Sequence, residues 1–293
     1  MTQNGEHSTW LRAGTIVAAL GLAACGGDDA VAIDAAVRID APPAIDAAAI
    51  DAPLAIDAPP VAVRSIQELQ DGTVPTGAAA TIDKVFVTAL RITPPGNLLA
   101  FVQEPDGVTT GGHPYPQYAG VQLFISTAEV AQFPGLEAIQ IGDCITLTGN
   151  TLEFQDDTEL VTPTAFTLEP AGSCGTAPTP LVIPTGALTF DALATDTDDV
   201  TAGDQPGASA EIYEGVLMRV TNVTAPAATD GTTGEFRVVK TAGGAGSLAI
   251  RAFVYPNAGP VPATAGQAFA SITGVYAQRM NFQLLPRTAA DLQ

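Results

Sequence analysis

The chain has 293 residues, room for one to three domains, and 46% of them are hydrophobic, enough for ordinary cores. Eleven Lys and Arg stand against 31 Asp and Glu, a formal −20, which repels phosphate backbones and anionic lipid headgroups at long range. With only His7 and His113 as histidines, a His-rich metal centre is excluded and a Ser-His-Asp arrangement has little to draw on. The sequence holds no nucleotide loop, nucleophile elbow or zincin helix, so no catalytic residue, metal or cofactor is expected.

Arg12 precedes an apolar run from Ala13 to Ala24. A run of that length falls short of the roughly 20 residues a spanning helix needs and reads as the apolar core of a signal peptide over residues 1–24. It ends in Leu22-Ala23-Ala24-Cys25, which resembles the lipobox of bacterial lipoproteins. The resemblance implies cleavage before Cys25, lipidation of its thiol and a membrane partner through that anchor. Gly26 in the following position favours, by the same resemblance, the outer membrane of a cell envelope.

Residues 25–63 are expected to form a disordered tether. Ile33-Asp34, Ile39-Asp40, Ile45-Asp46, Ile50-Asp51 and Ile56-Asp57 form a degenerate repeat that matches neither a helical nor a strand period. Pro42-Pro43 and Pro59-Pro60 interrupt any helix, no aromatic side chain offers a core, and Arg38 alone offsets seven Asp. Such a chain is extended, at roughly 3 Å per residue.

From Arg64 the pattern turns to β. Ser65-Ile66-Gln67-Glu68-Leu69-Gln70 predicts a short helix ending at Asp71-Gly72. Strands are then predicted over 80–91, 98–104, 120–126, 143–155 and 159–169, with a short helix within 127–136. The drifting spacing of Ile82, Val85, Val87 and Leu90 suggests a bulge in the first strand, and Asp156-Asp157 a hairpin between the last two. A second set is predicted over 211–224, 234–241, 248–255, 269–279 and 282–286. Pro178, Pro180 and Pro184 mark the junction, so the domains are 64–174 and 175–293; a single continuous sandwich is the alternative.

Five strands with a helix between the third and fourth follow the order of an OB-fold barrel. Ser65-Ile66-Gln67-Glu68-Leu69, Gly72-Thr73-Val74-Pro75, Phe101-Val102-Gln103-Glu104, Gly142-Asp143 and Leu147-Thr148-Gly149 resemble OB-fold modules of secreted bacterial proteins, some of them nuclease-associated. Gly266-Gln267 with Ile272-Thr273-Gly274 echoes Gly142-Asp143 with Leu147-Thr148-Gly149. The fold class is therefore all-β, two tandem OB-like five-stranded barrels.

With Cys25 lipidated, Cys144 and Cys174 remain for an oxidising compartment. The hairpin brings Cys144 near Glu169, just before Cys174, so a disulfide is expected. The loop Gly111-Gly112-His113-Pro114-Tyr115-Pro116-Gln117-Tyr118 borders the usual ligand face of such barrels. His113, Tyr115 and Tyr118 are accordingly candidate binding residues, the rings stacking on a sugar or base, or else packing on themselves. The first domain carries three basic against thirteen acidic side chains and the second six against ten. Arg219, Arg237, Lys240 and Arg251 fall on neighbouring predicted strands as a candidate basic patch. Asp196-Thr197-Asp198-Asp199 with Asp204, and Glu153 with Asp156, Asp157 and Glu159, are carboxylate clusters that match no EF-hand. Three functions follow: an envelope lipoprotein that binds or presents a glycan, peptide or protein without catalysis; an accessory nucleic-acid-binding module of an extracellular nuclease system; and, last, a carboxylate hydrolase.

Overall fold

The computed structural model describes residues 60–293 apart from 95, 109–111, 155–156, 184–210, 244–245, 256–260 and 279–281. The expected signal peptide, Cys25, the repeat region, Asp156 and the Asp196–Asp204 cluster lie outside the described residues. Of two compact units, residues 1–57 and 58–293, the second is the one described.

Its first half opens with β1 (Val63–Arg64) and helix α1 (Ile66–Gln70), started by a reciprocal capping box between Ser65 and Glu68. Five barrel strands follow: β2 (Ala79–Thr93), β3 (Asn97–Gln103), β4 (Gly120–Ile125), β5 (Cys144–Phe154) and β6 (Asp157–Leu168). They pair in the order β2-β3-β4-β6-β5, and β5 returns to β2 to close the barrel, with β4 and β6 parallel. Between β4 and β5, α2 (Thr127–Val130) and a 3-10 turn over Leu136–Ala138 place Val130 and Leu136 in the barrel core. The second half contains β7 (Leu181–Ile183), β8 (Leu217–Thr224), β9 (Glu235–Lys240), β10 (Leu248–Arg251), β11 (Ala268–Gln278) and β12 (Phe282–Leu285). Its order β8-β9-β10-β12-β11, closed by β11 on β8, repeats the first, and β10–β12 is again the parallel pair. This is the tandem OB-like architecture, and it excludes the continuous sandwich: each barrel has its own core, one around Ile82, Leu123 and Leu147, the other around Val220, Ile250 and Tyr276.

The equivalence extends to details. A short strand pairs in parallel with the first strand of each barrel, β1 on β2 and β7 on β8. Gly142 donates to the Val87 carbonyl and Gly266 to the Ala225 carbonyl, each at 2.8 Å, and Val87 and Ala225 donate back to Asp143 and Gln267. The expected bulge is real: the register of β2 shifts between Ile82 and Val85 and again between Val87 and Ala89, with Lys84 in the left-handed region at φ 54°. That bend lets one strand serve both sides of a small closed barrel. Two strand expectations are corrected. Glu211–Tyr213 is a 3-10 turn rather than the start of β8, and β10 stops at Arg251, because Ala252 to Tyr255 turn away from the sheet.

The barrels are joined by a packed interface. Along β3, Leu98, Ala100 and Val102 point into the first core, while Leu99 and Phe101 point outward into a second apolar cluster. There they meet Ala89 and, from the second barrel, Leu217, Val254, Val275, Ala277 and Leu285. Polar contacts close the seam: the Arg91 guanidinium donates to the Phe253 carbonyl (2.9 Å), Arg287 donates to the Thr88 carbonyl (3.3 Å), and the Leu217 N–H donates to the Gln103 side-chain oxygen (2.9 Å). Gly120 and Gly215 cross so closely that a Cβ on Gly120 would overlap the Gly215 carbonyl.

The disulfide joins Cys144 to Cys174 with Cα atoms 5.8 Å apart. Glu169 donates its N–H to the Cys144 carbonyl (2.9 Å), so the chain leaving β6 folds back along the start of β5. Phe86 covers the bridge.

Candidate functional site

Barrels of this order take ligands on the outer face of their second and third strands, flanked by loops. In the first barrel that face begins with Leu99 and Phe101, and the second barrel covers both. Gln122 and Glu159, hydrogen-bonded to each other across β4 and β6, continue the same face and are also buried. Most of the surface on which a ligand would be sought is thus filled by the protein itself, with Phe124, across from Leu99, left exposed at its edge.

The loop with His113, Tyr115 and Tyr118 has turned inward. His113 exchanges backbone hydrogen bonds with the Gln67 side chain, and its ring lies 3.5 Å from the Asp71 carboxylate. Its ring also packs on Tyr118, centroids 4.6 Å apart. Tyr118 is buried, at φ 55°, and its N–H donates to the Ile212 carbonyl of the second barrel (2.6 Å). The Tyr115 hydroxyl accepts from the Gln103 amide at 2.9 Å. Burial, reinforced by the charge of Asp106, raises its pKa above the ordinary tyrosine value. The rings therefore pack on the protein rather than offer flat faces to a sugar or base.

On the second barrel, among the described residues, the corresponding outer face is exposed along β9, while Ala249 and Gln283, paired across β10 and β12 on the same face, are buried. Phe236, Val238, Leu248 and Ile250 fill the core, so Glu235, Arg237 and Val239 on β9 and Arg251 on β10 point out. Arg237 is 48% exposed and held in place: Nε donates to the Ser247 hydroxyl (2.7 Å), Nη2 to the Ser247 carbonyl (2.5 Å), and Nη1 lies 3.5 Å from Glu235. Arg251 stands directly across from Glu235 in the β9–β10 register. The other two predicted basic residues do not join this face. Arg219 belongs to the β7–β8–β11 side, where Nε donates to the Thr273 hydroxyl (2.9 Å). Lys240 shares the inward parity of its partner Val223 at the end of β9. The expected patch of four is a pair, Arg237 and Arg251, divided by Glu235; strand adjacency concealed the fact that β8 touches β9 only through Val223–Lys240 and Thr224–Val239.

Among the described residues, the carboxylates of the β5–β6 hairpin are divided between its two faces. The Glu153 side chain accepts from the Thr158 hydroxyl (2.8 Å) on one face of the β5–β6 hairpin, whereas Asp157 and Glu159 lie on the other. Among the described residues, no group of three or more His, Cys, Asp or Glu is placed to hold a metal ion.

No protein-family model matches the chain, and no curated protein does. Solved structures that match include two single-stranded DNA-binding proteins. One is a small single-stranded DNA-binding protein from Streptomyces coelicolor, 11% identical, covering 32% of this chain and 94% of its own, with a TM-score of 0.24. The other is a deletion variant of the single-stranded DNA binding protein from Thermus aquaticus, 12% identical, covering 70% of this chain and 92% of its own, with a TM-score of 0.18. Neither likeness assigns a function. Among the described residues, no helix is long and apolar enough to cross a membrane.

Proposed function

We propose that the protein is a lipid-anchored envelope component whose two barrels act as one non-catalytic binding or scaffold body, presenting the outer face of β9 and β10 to a glycan, peptide or protein. One observation carries the reading: on the first barrel's corresponding face Leu99 and Phe101 are buried against the second barrel, whereas at the equivalent strand of the second barrel the Arg237 side chain is exposed. Lipidation at Cys25 and an outer-membrane location rest on the lipobox resemblance. The alternative, an accessory nucleic-acid-binding module, has less support, since a phosphate backbone calls for a run of cations and Arg237 already shares its charge with Glu235.

A photo-crosslinking side chain placed at Val239 of the full-length protein tests the reading in intact cells. The expected result is a discrete adduct that a Gln132 placement on the first barrel does not give and that Arg237→Glu suppresses. Absence of any Val239-specific adduct overturns the assignment of this face. Mass spectrometry of the native amino terminus tests the anchor separately.

A further inference from the structure

Helix α1 has five residues, yet two of its side chains are committed to the stretch 113–120 that leads into β4. The wholly buried Gln67 amide donates to the carbonyls of His113 (3.2 Å) and Gln117 (3.0 Å) and accepts from the His113 N–H (3.2 Å). Gln70 donates to the Gly120 carbonyl. A buried amide satisfied at both ends fixes its partners closely, because any displacement strands polar groups away from water. The far side of the same stretch holds the second barrel. Tyr118 donates to the Ile212 carbonyl, Gly120 crosses Gly215, and the Tyr115 hydroxyl meets Gln103, whose oxygen takes the Leu217 N–H. Gln103 is wholly buried too.

We infer that α1 is a latch on the joint between the barrels: Ile66 and Leu69 seat it in the first core, and its Gln67 and Gln70 amides hold residues 113–120 in the shape that docks the second barrel, so losing those amide contacts loosens the joint. The latch lies where the chain enters the fold. Ahead of it, β1 holds β2 through two exposed residues, Val63 on Thr81 and Arg64 on Ile82, so this is the most easily stripped strand of the first sheet. A partner or a pull acting on β1 therefore reaches the start of β8 through α1, the 113–120 stretch and Gln103. None of the relay's hydrogen bonds involves a residue of β9 or β10, so it stands whether or not the β9–β10 face binds anything.

Amide hydrogen exchange on the full-length protein tests it, with the Tyr118 and Leu217 N–H groups as direct reporters. Gln67→Leu should accelerate exchange there and through Ile212–Val220 by about tenfold or more, leaving Glu235–Arg251 unchanged. Gln70→Leu should give the same pattern more weakly, and serves if Gln67→Leu does not fold. Glu129→Ala, which removes the equivalent cap of α2, should leave all these amides as they were. The latch is overturned by unchanged exchange at Tyr118 and Leu217 in both glutamine variants. An acceleration spread evenly over the second barrel, or an equal one in Glu129→Ala, overturns it as well.

Discussion

Gly149 and Gly274 occupy the same place on the fourth strand of each barrel, and the next strand passes over both. A Cβ on Gly149 would lie 2.6 Å from the Val161 carbonyl oxygen, and one on Gly274 would lie 2.6 Å from that of Leu285. Backbone cannot yield as a side-chain tip can, so Gly149→Ala and Gly274→Ala should each destabilise by about 1–3 kcal/mol or more. For a body of this size that lowers the melting temperature by roughly 2–4 °C per kcal/mol, whereas Gly142→Ala, whose Cβ meets nothing, should show only the strain of its positive φ. The repeated Thr-Gly was legible in the sequence; the carbonyl that demands it was not, because it belongs to a later strand. Tyr115 shows the opposite case, a residue whose type was visible and whose use was not. Its folded pKa is raised by burial and by Asp106, so the neutral phenol is the form the fold prefers. That preference is fully present below the unfolded tyrosine value of about 10 and is lost as pH rises above it. Alkaline titration followed at the phenolate absorbance should show a late-titrating tyrosine that Tyr115→Phe removes. The same variant leaves the Gln103 amide without its acceptor, which should cost about 1–3 kcal/mol at neutral pH.

At the scale of elements, the strands were legible wherever alternation or turn residues marked them, and the helix after β4 was expected from its place between two strands; the structure shows that the Ser126–Glu129 capping box starts it. What escaped was the meaning of Leu98-Leu99-Ala100-Phe101-Val102. An unbroken apolar run marks a strand buried on both faces, and in a small barrel the outer burial must come from another module. The disulfide, by contrast, followed from chain direction: β6 runs antiparallel to β5, so residues past Glu169 return to Cys144. It closes a loop with a sequence separation of 30, for which the chain-entropy account gives about 3–4 kcal/mol. Replacing both Cys144 and Cys174 by Ser should lower the urea midpoint accordingly, and a reductant should move the native protein to the same midpoint. An unchanged midpoint in the double variant would show that the hydrogen bonds around Glu169 hold this corner unaided.

For the whole molecule, the decisive quantity is the strength of the joint relative to the barrels. The first domain carries a formal −10 and the second −4, from three basic and thirteen acidic side chains against six and ten, so long-range charge pushes the two apart. The joint offsets this with an apolar cluster around Phe101 and with backbone contact at Gly120 and Gly215, where water has no room. Deleting a buried Phe side chain costs about 3–5 kcal/mol, and putting a carboxylate in its place adds the cost of an unpaired buried charge. Phe101 faces outward from its own core, so Phe101→Asp should fall on the joint and leave β2–β6 closed around Leu98, Ala100 and Val102. Calorimetry separates these cases. If the joint couples the barrels, the full-length protein melts in one transition whose calorimetric and van't Hoff enthalpies agree, and Phe101→Asp splits it into two smaller ones. Two transitions already present in the native protein would mean that the barrels fold and melt independently, with the second free to turn its Arg237 face on its own.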